Sequence, residues 1–256
     1  MAAQGTGAIG ASYRWILAGN HPSGRISPTQ SRHFGHRLDD AECRLHIQGM
    51  NRPETIGKIA KICVYCGSGP GNDPAFVAAA TAFGTIMARN GIRLIYGGGG
   101  DGMMGALARS VLAGGGQVTG IIPEFLTSRE HALRGAQELI VTKDMHERKR
   151  TMFEMADAFV AMPGGVGTLE ELVEQLTWVQ LGRHKKPVLI ANIKDFWQPL
   201  SALLDHMKAL DFIRTDLDFN LLVAERVEDI LPVLQKAMEA VPESARAMPA
   251  GVADKL

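Results

Sequence analysis

Residues 158–178 hold the run that most restricts what this chain can become. The stretch Ala158-Phe159-Val160-Ala161-Met162 has the length and composition of a buried strand. Pro163-Gly164-Gly165-Val166-Gly167-Thr168-Leu169-Glu170-Glu171 follows it, and Leu172-Val173-Glu174-Gln175-Leu176-Thr177-Trp178 then reads as a helix. A strand, a glycine turn and a helix N-terminus in that order form an anion cradle. Glycines let the backbone come close to a ligand, and the first-turn N–H groups and the helix dipole favour negative charge. Thr168 is expected to cap the helix and to offer its hydroxyl to a phosphate. Glu170 and Glu171 lie beside that cradle, which points to chemistry on a phosphorylated substrate. The run is not a Walker A loop, because no Gly-Lys-Ser/Thr follows, and it lacks the GxGxxG spacing of a dinucleotide fingerprint. Glycine turns of this kind also serve only tight helix–sheet packing, so the run alone leaves both readings open.

Bulk properties remove several function classes. Of 256 residues, 27 are basic and 27 acidic, which gives no electrostatic case for a nucleic-acid or acidic-membrane partner. No apolar run approaches the ~20 residues of a membrane helix. Three cysteines, Cys43, Cys63 and Cys66, make no disulfide framework, which fits a reducing cytoplasm. Cys63 and Cys66 have C-x-x-C spacing, but they fall on a predicted strand, where positions i and i+3 point to opposite faces. Two thiols so placed do not share a zinc ion or a disulfide, and no metal site is expected.

Residues 1–55 differ from the rest. Up to Leu38 there are four Arg and three His but no acidic residue, and no periodicity persists. That composition resembles an organellar transit peptide; the alternatives are a disordered extension or a working start at Met50. The segment is expected to add no element to the fold. Residues 56–240 form the expected domain, with 241–256 a loose tail. The predicted strands are Ile59–Cys66, Ile92–Tyr96, Gln117–Ile122, Glu138–Thr142, Ala158–Met162, Pro187–Asn192 and Leu221–Ala224. The predicted helices are Pro74–Asn90, Met103–Ala113, Met145–Ala156, Thr168–Leu181, Phe196–Leu210 and Val227–Ala240. Short apolar strands alternating with amphipathic helices predict an α/β fold: a single-domain, doubly wound parallel sheet with helices on both faces. Ligands of such sheets bind at the strands' C-terminal ends. The turns at Gly67–Gly71, Gly97–Gly102 and Gly164–Gly167 all follow strands and so share that rim.

Asp144-Met145-His146-Glu147-Arg148-Lys149-Arg150 also opens a helix on the rim, where a cationic head could pair with a phosphate. Met145–Lys149 together with Pro163–Glu171 resembles the paired signature of the lonely-guy family, cytokinin riboside 5′-monophosphate phosphoribohydrolases often mislabelled lysine decarboxylases. Cys66-Gly67-Ser68, Tyr96-Gly97-Gly98-Gly99, Gly102-Met103-Met104-Gly105 and Ile122-Pro123 extend the match over roughly Lys58 to Val233. The resemblance implies a Rossmann-like fold and a catalytic pair, Arg148 and Glu171. It implies substrate contacts from Ser68, Gly98, Gly99, Glu130, Lys149, Gly165, Val166, Gly167, Thr168, Leu169, Glu170 and Thr177. It also implies at least a homodimer, with the site completed across the interface.

The reaction so implied is hydrolysis of the N-glycosidic bond of an adenosine 5′-monophosphate, N6-substituted or plain, with no cofactor or metal. The alternative is a carrier of nucleotide or molybdenum cofactor on the same scaffold, which would need the cradle but not Arg148 together with Glu171. A pyridoxal-phosphate decarboxylase is excluded, since it needs a Schiff-base lysine and a larger two-domain subunit than ~190 folded residues provide. A cytoplasmic location is expected, with the leader leaving organellar targeting open.

Overall fold

The computed structural model describes residues 59–127, 131, 133, 136–213 and 220–242, and the backbone course of 14–17. Eight strands and six helices are present among them. In chain order these are β1 (Arg14–Leu17), β2 (Lys61–Tyr65), α1 (Pro74–Arg89), β3 (Arg93–Tyr96), α2 (Gly102–Ala113), β4 (Val118–Pro123) and β5 (Glu138–Thr142). There follow α3 (Met145–Met155), β6 (Ala158–Ala161), α4 (Val166–Gln180), β7 (Val188–Ala191), α5 (Gln198–Ala209), β8 (Leu221–Ala224) and α6 (Ile230–Glu239). All strands pair in parallel in the order β1-β5-β4-β3-β2-β6-β7-β8.

One expectation needs correcting. The leader was excluded from the fold, yet Arg14–Leu17 pairs with Glu138–Val141 as the edge strand β1. Its Trp-Ile-Leu run is too short to show a period, and a strand at an edge needs only one neighbour to satisfy its ladder. The rest of residues 1–58 and the tail beyond 242 lie outside the described residues.

The sheet is buried on both sides because its strands are apolar on both sides. In β2, Ile62 and Val64 face α1, α2 and α6, packing with Phe83, Leu107 and Leu234. Cys63 and Tyr65 face the other way, towards Phe153 of α3 and Leu172 and Leu176 of α4. Cys66 joins the first cluster and Cys63 the second, so the two thiols do lie on opposite faces. The chain winds outward from β2 through β3 and β4 to β5, then returns to β6 on the other side of β2. The return is α3, which runs beneath β5, β4, β3 and β2. This reversal opens a crevice between the C-terminal ends of β2 and β6, the place where α/β sheets bind ligands.

Far from that crevice, the loop between α4 and β7 buries His184 against the rings of Phe153 and Phe159, 5.0 and 5.8 Å between centroids. Its Nδ1 accepts the N–H of Lys186 at 3.1 Å. Burial, and then the charge of Lys186, push its pKa down from 6.5 to about 4. A second proton would have to enter at Nδ1 and displace that hydrogen bond. The unfolded chain therefore binds more protons between about 6.5 and about 4. Stability from this group is complete above 6.5 and is lost as the pH falls through that window, a difference on the order of 3 kcal/mol. Replacing His184 with Gln is expected to flatten the acid limb. Unfolding free energies from urea titrations at pH 7 and pH 4.5 should differ less in the variant than in the parent; an equal difference would contradict a buried neutral histidine.

Candidate active site

A cleft of about 280 Å³ occupies the crevice between β2 and β6. Cys66-Gly67-Ser68 forms the wall after β2, Gly97 the wall after β3, and the first turn of α4 the facing wall, with Met145 and Arg148 entering from α3. The two main turns are clipped together where Gly67 N–H donates to Pro163 O at 3.0 Å.

The α4 wall is an exposed helix start. Gly165 is the N-cap, in extended conformation, and makes no side-chain capping bond. The first intrahelical bond there runs from Leu169 N–H to Gly165 O at 3.1 Å. Helix geometry leaves the N–H groups of Val166, Gly167 and Thr168 without an intrahelical acceptor. A Cβ on Gly165 or Gly167 would meet nothing within 4 Å, so a ligand can reach this backbone unobstructed. Thr168 was expected to be the cap, and it is not. It is the third residue of the helix, because the extended glycine before it lets the helix begin two residues sooner. Thr168 is nonetheless buried on the cleft wall, its hydroxyl packed against Gly164.

The opposing charge comes from α3. Asp144 caps this helix by accepting Glu147 N–H at 2.8 Å, and Glu147 Oε2 accepts the N–H of Lys143, the residue before the cap, at 2.8 Å, a variant of the capping box. The bond from Glu147 N–H holds the Asp144 carboxyl below its ordinary range. With the helix start fixed, Arg148 falls on the fourth helical residue and points across the ends of β3 and β4. Its Nε donates to Ile121 O at 3.1 Å and its Nη2 to Gly97 O at 3.3 Å. Nη1 is left towards the cleft, 3.7 Å from Glu171 Oε1 and 3.8 Å from Met145 Sδ. Both charged side chains are nearly enclosed, at 8% and 11% exposure. Burial, and then the Glu171 carboxylate, push the Cys66 thiol up, so Cys66 presents a neutral thiol to the cleft.

The other expected contacts divide. Ser68, Gly165, Val166, Gly167, Thr168 and Glu170 lie on the cleft wall with the Arg148–Glu171 pair. Lys149 does not. Its Nζ donates to Glu170 Oε1 at 2.7 Å and Glu174 Oε1 at 2.9 Å, tying α3 to α4. Burial disfavours the Lys149 charge, but these two carboxylates outweigh it and hold its pKa above the ordinary value. Leu169 and Thr177 point outward, the Thr177 hydroxyl donating to Val173 O at 2.8 Å. Gly98 and Gly99 are buried behind the turn, where Gly98 holds φ +82° and its carbonyl accepts Leu133 N–H at 3.1 Å. Glu130 lies outside the described residues. The sequence reading missed Gly97, Met104, Met145 and the carbonyl of Ile121. Gly97, Met104 and Met145 stand within the quoted motifs, but a backbone acceptor has no signature in residue type.

The family model described as "Possible lysine decarboxylase" matches residues 104–234. A probable cytokinin riboside 5′-monophosphate phosphoribohydrolase of Oryza sativa subsp. japonica is 41% identical over 189 residues, covering 74% of this chain and 85% of the relative. A cytokinin riboside 5′-monophosphate phosphoribohydrolase of Rhodococcoides fascians is 40% identical over 175 residues, covering 68% of this chain and 88% of the relative. Among solved structures, the Moco carrier protein of Chlamydomonas reinhardtii superposes with a TM-score of 0.53 at 19% identity, over 72% of this chain and all of that one. That likeness is one of fold. The sequence matches go further: this chain belongs to the lonely-guy family of cytokinin riboside 5′-monophosphate phosphoribohydrolases, the family also described as possible lysine decarboxylases.

Proposed function

We infer that this chain hydrolyses the N-glycosidic bond of an adenosine 5′-monophosphate, N6-substituted or plain, releasing the free base and ribose 5-phosphate. The observation that carries this reading is a buried guanidinium and a buried carboxylate, 3.7 Å apart, beside an uncovered helix N-terminus. The N–H groups of Val166, Gly167 and Thr168 take the 5′-phosphate, and the helix dipole favours its charge. Holding the phosphate fixes the ribose, so binding energy is converted into orientation of C1′. As the bond to the base nitrogen lengthens, the sugar becomes oxocarbenium-like, and Glu171 stabilises the positive charge developing there. Water adds to C1′ and gives a proton to Glu171. The base leaves with the electron pair of the broken bond and takes up a proton from solvent, while Glu171 returns the proton received from water to solvent, so the net reaction consumes one water. Arg148 holds Glu171 in place and has its Nη1 directed at the ribose hydroxyls.

The functional unit in this reading is at least a homodimer. Val166, Leu169 and Val173 form an apolar stripe along α4, at 83%, 37% and 43% exposure, and Leu181 at its end is 65% exposed. Such a row on a helix face fits a second copy better than it fits water. Val166 belongs both to the stripe and to the cleft wall, so the partner would close the open side of the site.

Three outcomes test the reading. Glu171→Gln keeps the shape and removes the charge, and is expected to lower base release by about 10²–10⁴-fold with the fold intact. Arg148→Lys, which keeps a cation but loses the fork, should lose at least about 10²-fold. Near-normal turnover in either variant, followed by chromatography of the released base, would remove the mechanism. A pure carrier would show no base release from the parent protein at all. Second, the 5′-monophosphate should be cleaved far faster than the matching nucleoside, and equal rates would contradict the cradle. Third, Val173→Glu should halve the mass measured by sedimentation and reduce turnover, whereas an unchanged dimer would place the interface elsewhere.

A further inference from the structure

Gly97 differs from the other glycines of its turn in what surrounds it. Gly98 and Gly102 adopt φ +82° and +54°, which other residues rarely take. Gly100 and Gly105 are closed in by backbone, the carbonyls of His131 and Gly100 respectively. Gly97 has neither constraint. Its φ is not positive, so its backbone lies outside the left-handed region that disfavours an alanine. The nearest atoms a Cβ there would meet are side-chain ends: it would collide with Arg148 Nη2, and lie 3.2 Å from Met104 Sδ and 3.5 Å from Arg148 Cζ. The space a side chain would fill is the space the guanidinium occupies.

We propose that Gly97 is a positioning residue: its missing side chain forms the seat of Arg148, and its carbonyl fixes the guanidinium in that seat. The assignment of consequences to turnover rests on the role given to Arg148 above. Adding one methyl group must push Nη2 away from Gly97 O, pull on the bond from Nε to Ile121 O, and move Nη1 relative to Glu171. The guanidinium is the far end of a flexible side chain, so the fold yields there cheaply while the geometry of the cleft does not. Displacement of a reacting group by about an ångström lowers rates by about 100-fold. The phosphate cradle on α4 is untouched, so the loss falls on kcat more than on KM.

The experiment uses the full chain as parent, Gly97→Ala, Arg148→Lys and the double variant. It measures thermal unfolding, the NMR signal and solvent exchange of the Arg148 Nε–H, and kcat and KM with an adenosine 5′-monophosphate. Gly97→Ala should keep a cooperative unfolding transition, shift the Nε–H signal and speed its exchange, and lower kcat by about 100-fold with little change in KM. In the Arg148→Lys background, where no Nη2 meets the new methyl, the same change should cost at most about twofold. An unmoved Nε–H signal in Gly97→Ala overturns the proposal, and so does an equal loss of kcat in both backgrounds. A moved signal with unchanged kcat supports the seat and instead overturns the role of Arg148 in hydrolysis, which keeps the two readings separable.

Discussion

The guanidinium of Arg148, held between the carbonyls of Gly97 and Ile121, is the contact on which the rest of the site depends. A cation this enclosed must be matched by acceptors, because burying an unpaired charge costs several kcal/mol. The carbonyl of Gly97 just after β3, the carbonyl of Ile121 within β4 and the Glu171 carboxylate of α4 do the matching. The carbonyls are available only because β3 and β4 lie side by side and in parallel, so both end on the same edge. Arg148 reaches them only because α3 passes beneath those strands on its way from β5 to β6. The capping box at Asp144 and Glu147 fixes the rotation of α3 and so decides which side chain arrives there.

Charge placement around the cleft follows the same economy. Lys149 is adjacent to Arg148 in sequence but turns towards α4, where Glu170 and Glu174 neutralise it. Its work is to tie α3 to α4, which fixes the distance between Arg148 and Glu171. With Lys149 matched and Arg148 facing Glu171, the attraction for an incoming anion rests on the helix start at Gly165–Thr168. A phosphate placed there leaves the charged pair to the sugar, not to the phosphate. In the proposed reading, binding and chemistry therefore fall to separate groups on one helix, with Thr168 and Glu171 one turn apart.

Much of this was legible in the sequence because it is written in local pattern. Glycine turns after apolar runs placed the rim, and the strand at Glu138–Thr142 and that at Leu221–Ala224 have the predicted bounds. The helix expected from Thr168 begins at Val166, because two residues that read as turn, a valine and a glycine, adopt helical geometry behind a glycine cap. β1 escaped notice because four residues carry no period. Lys149, Leu169, Thr177, Gly98 and Gly99 were expected at the substrate but do not line the cleft. Motif membership places a residue near the rim but does not say which way its side chain turns. The seat of Arg148 was not legible either, since it is built from carbonyls and from the absence of a side chain.

The scaffold by itself does not decide what happens to a bound phosphate ester. A parallel sheet with a helix start at its switch point suffices to hold an anion, and fold alone does not fix function. Beside that helix start, this chain holds a pair of opposite charges taken out of water within 4 Å of one another. Such a pair is a poor way to gain stability, because desolvating both groups offsets most of their attraction. It is a good way to hold a carboxylate ready for a positive charge that exists only in the transition state, since fixed dipoles in an enclosed site need no reorganisation. The energetic disadvantage of the pair for folding is therefore an argument for its place in catalysis. It also explains why α3 and α4 are tied together through Lys149 and not left to pack by apolar contact alone.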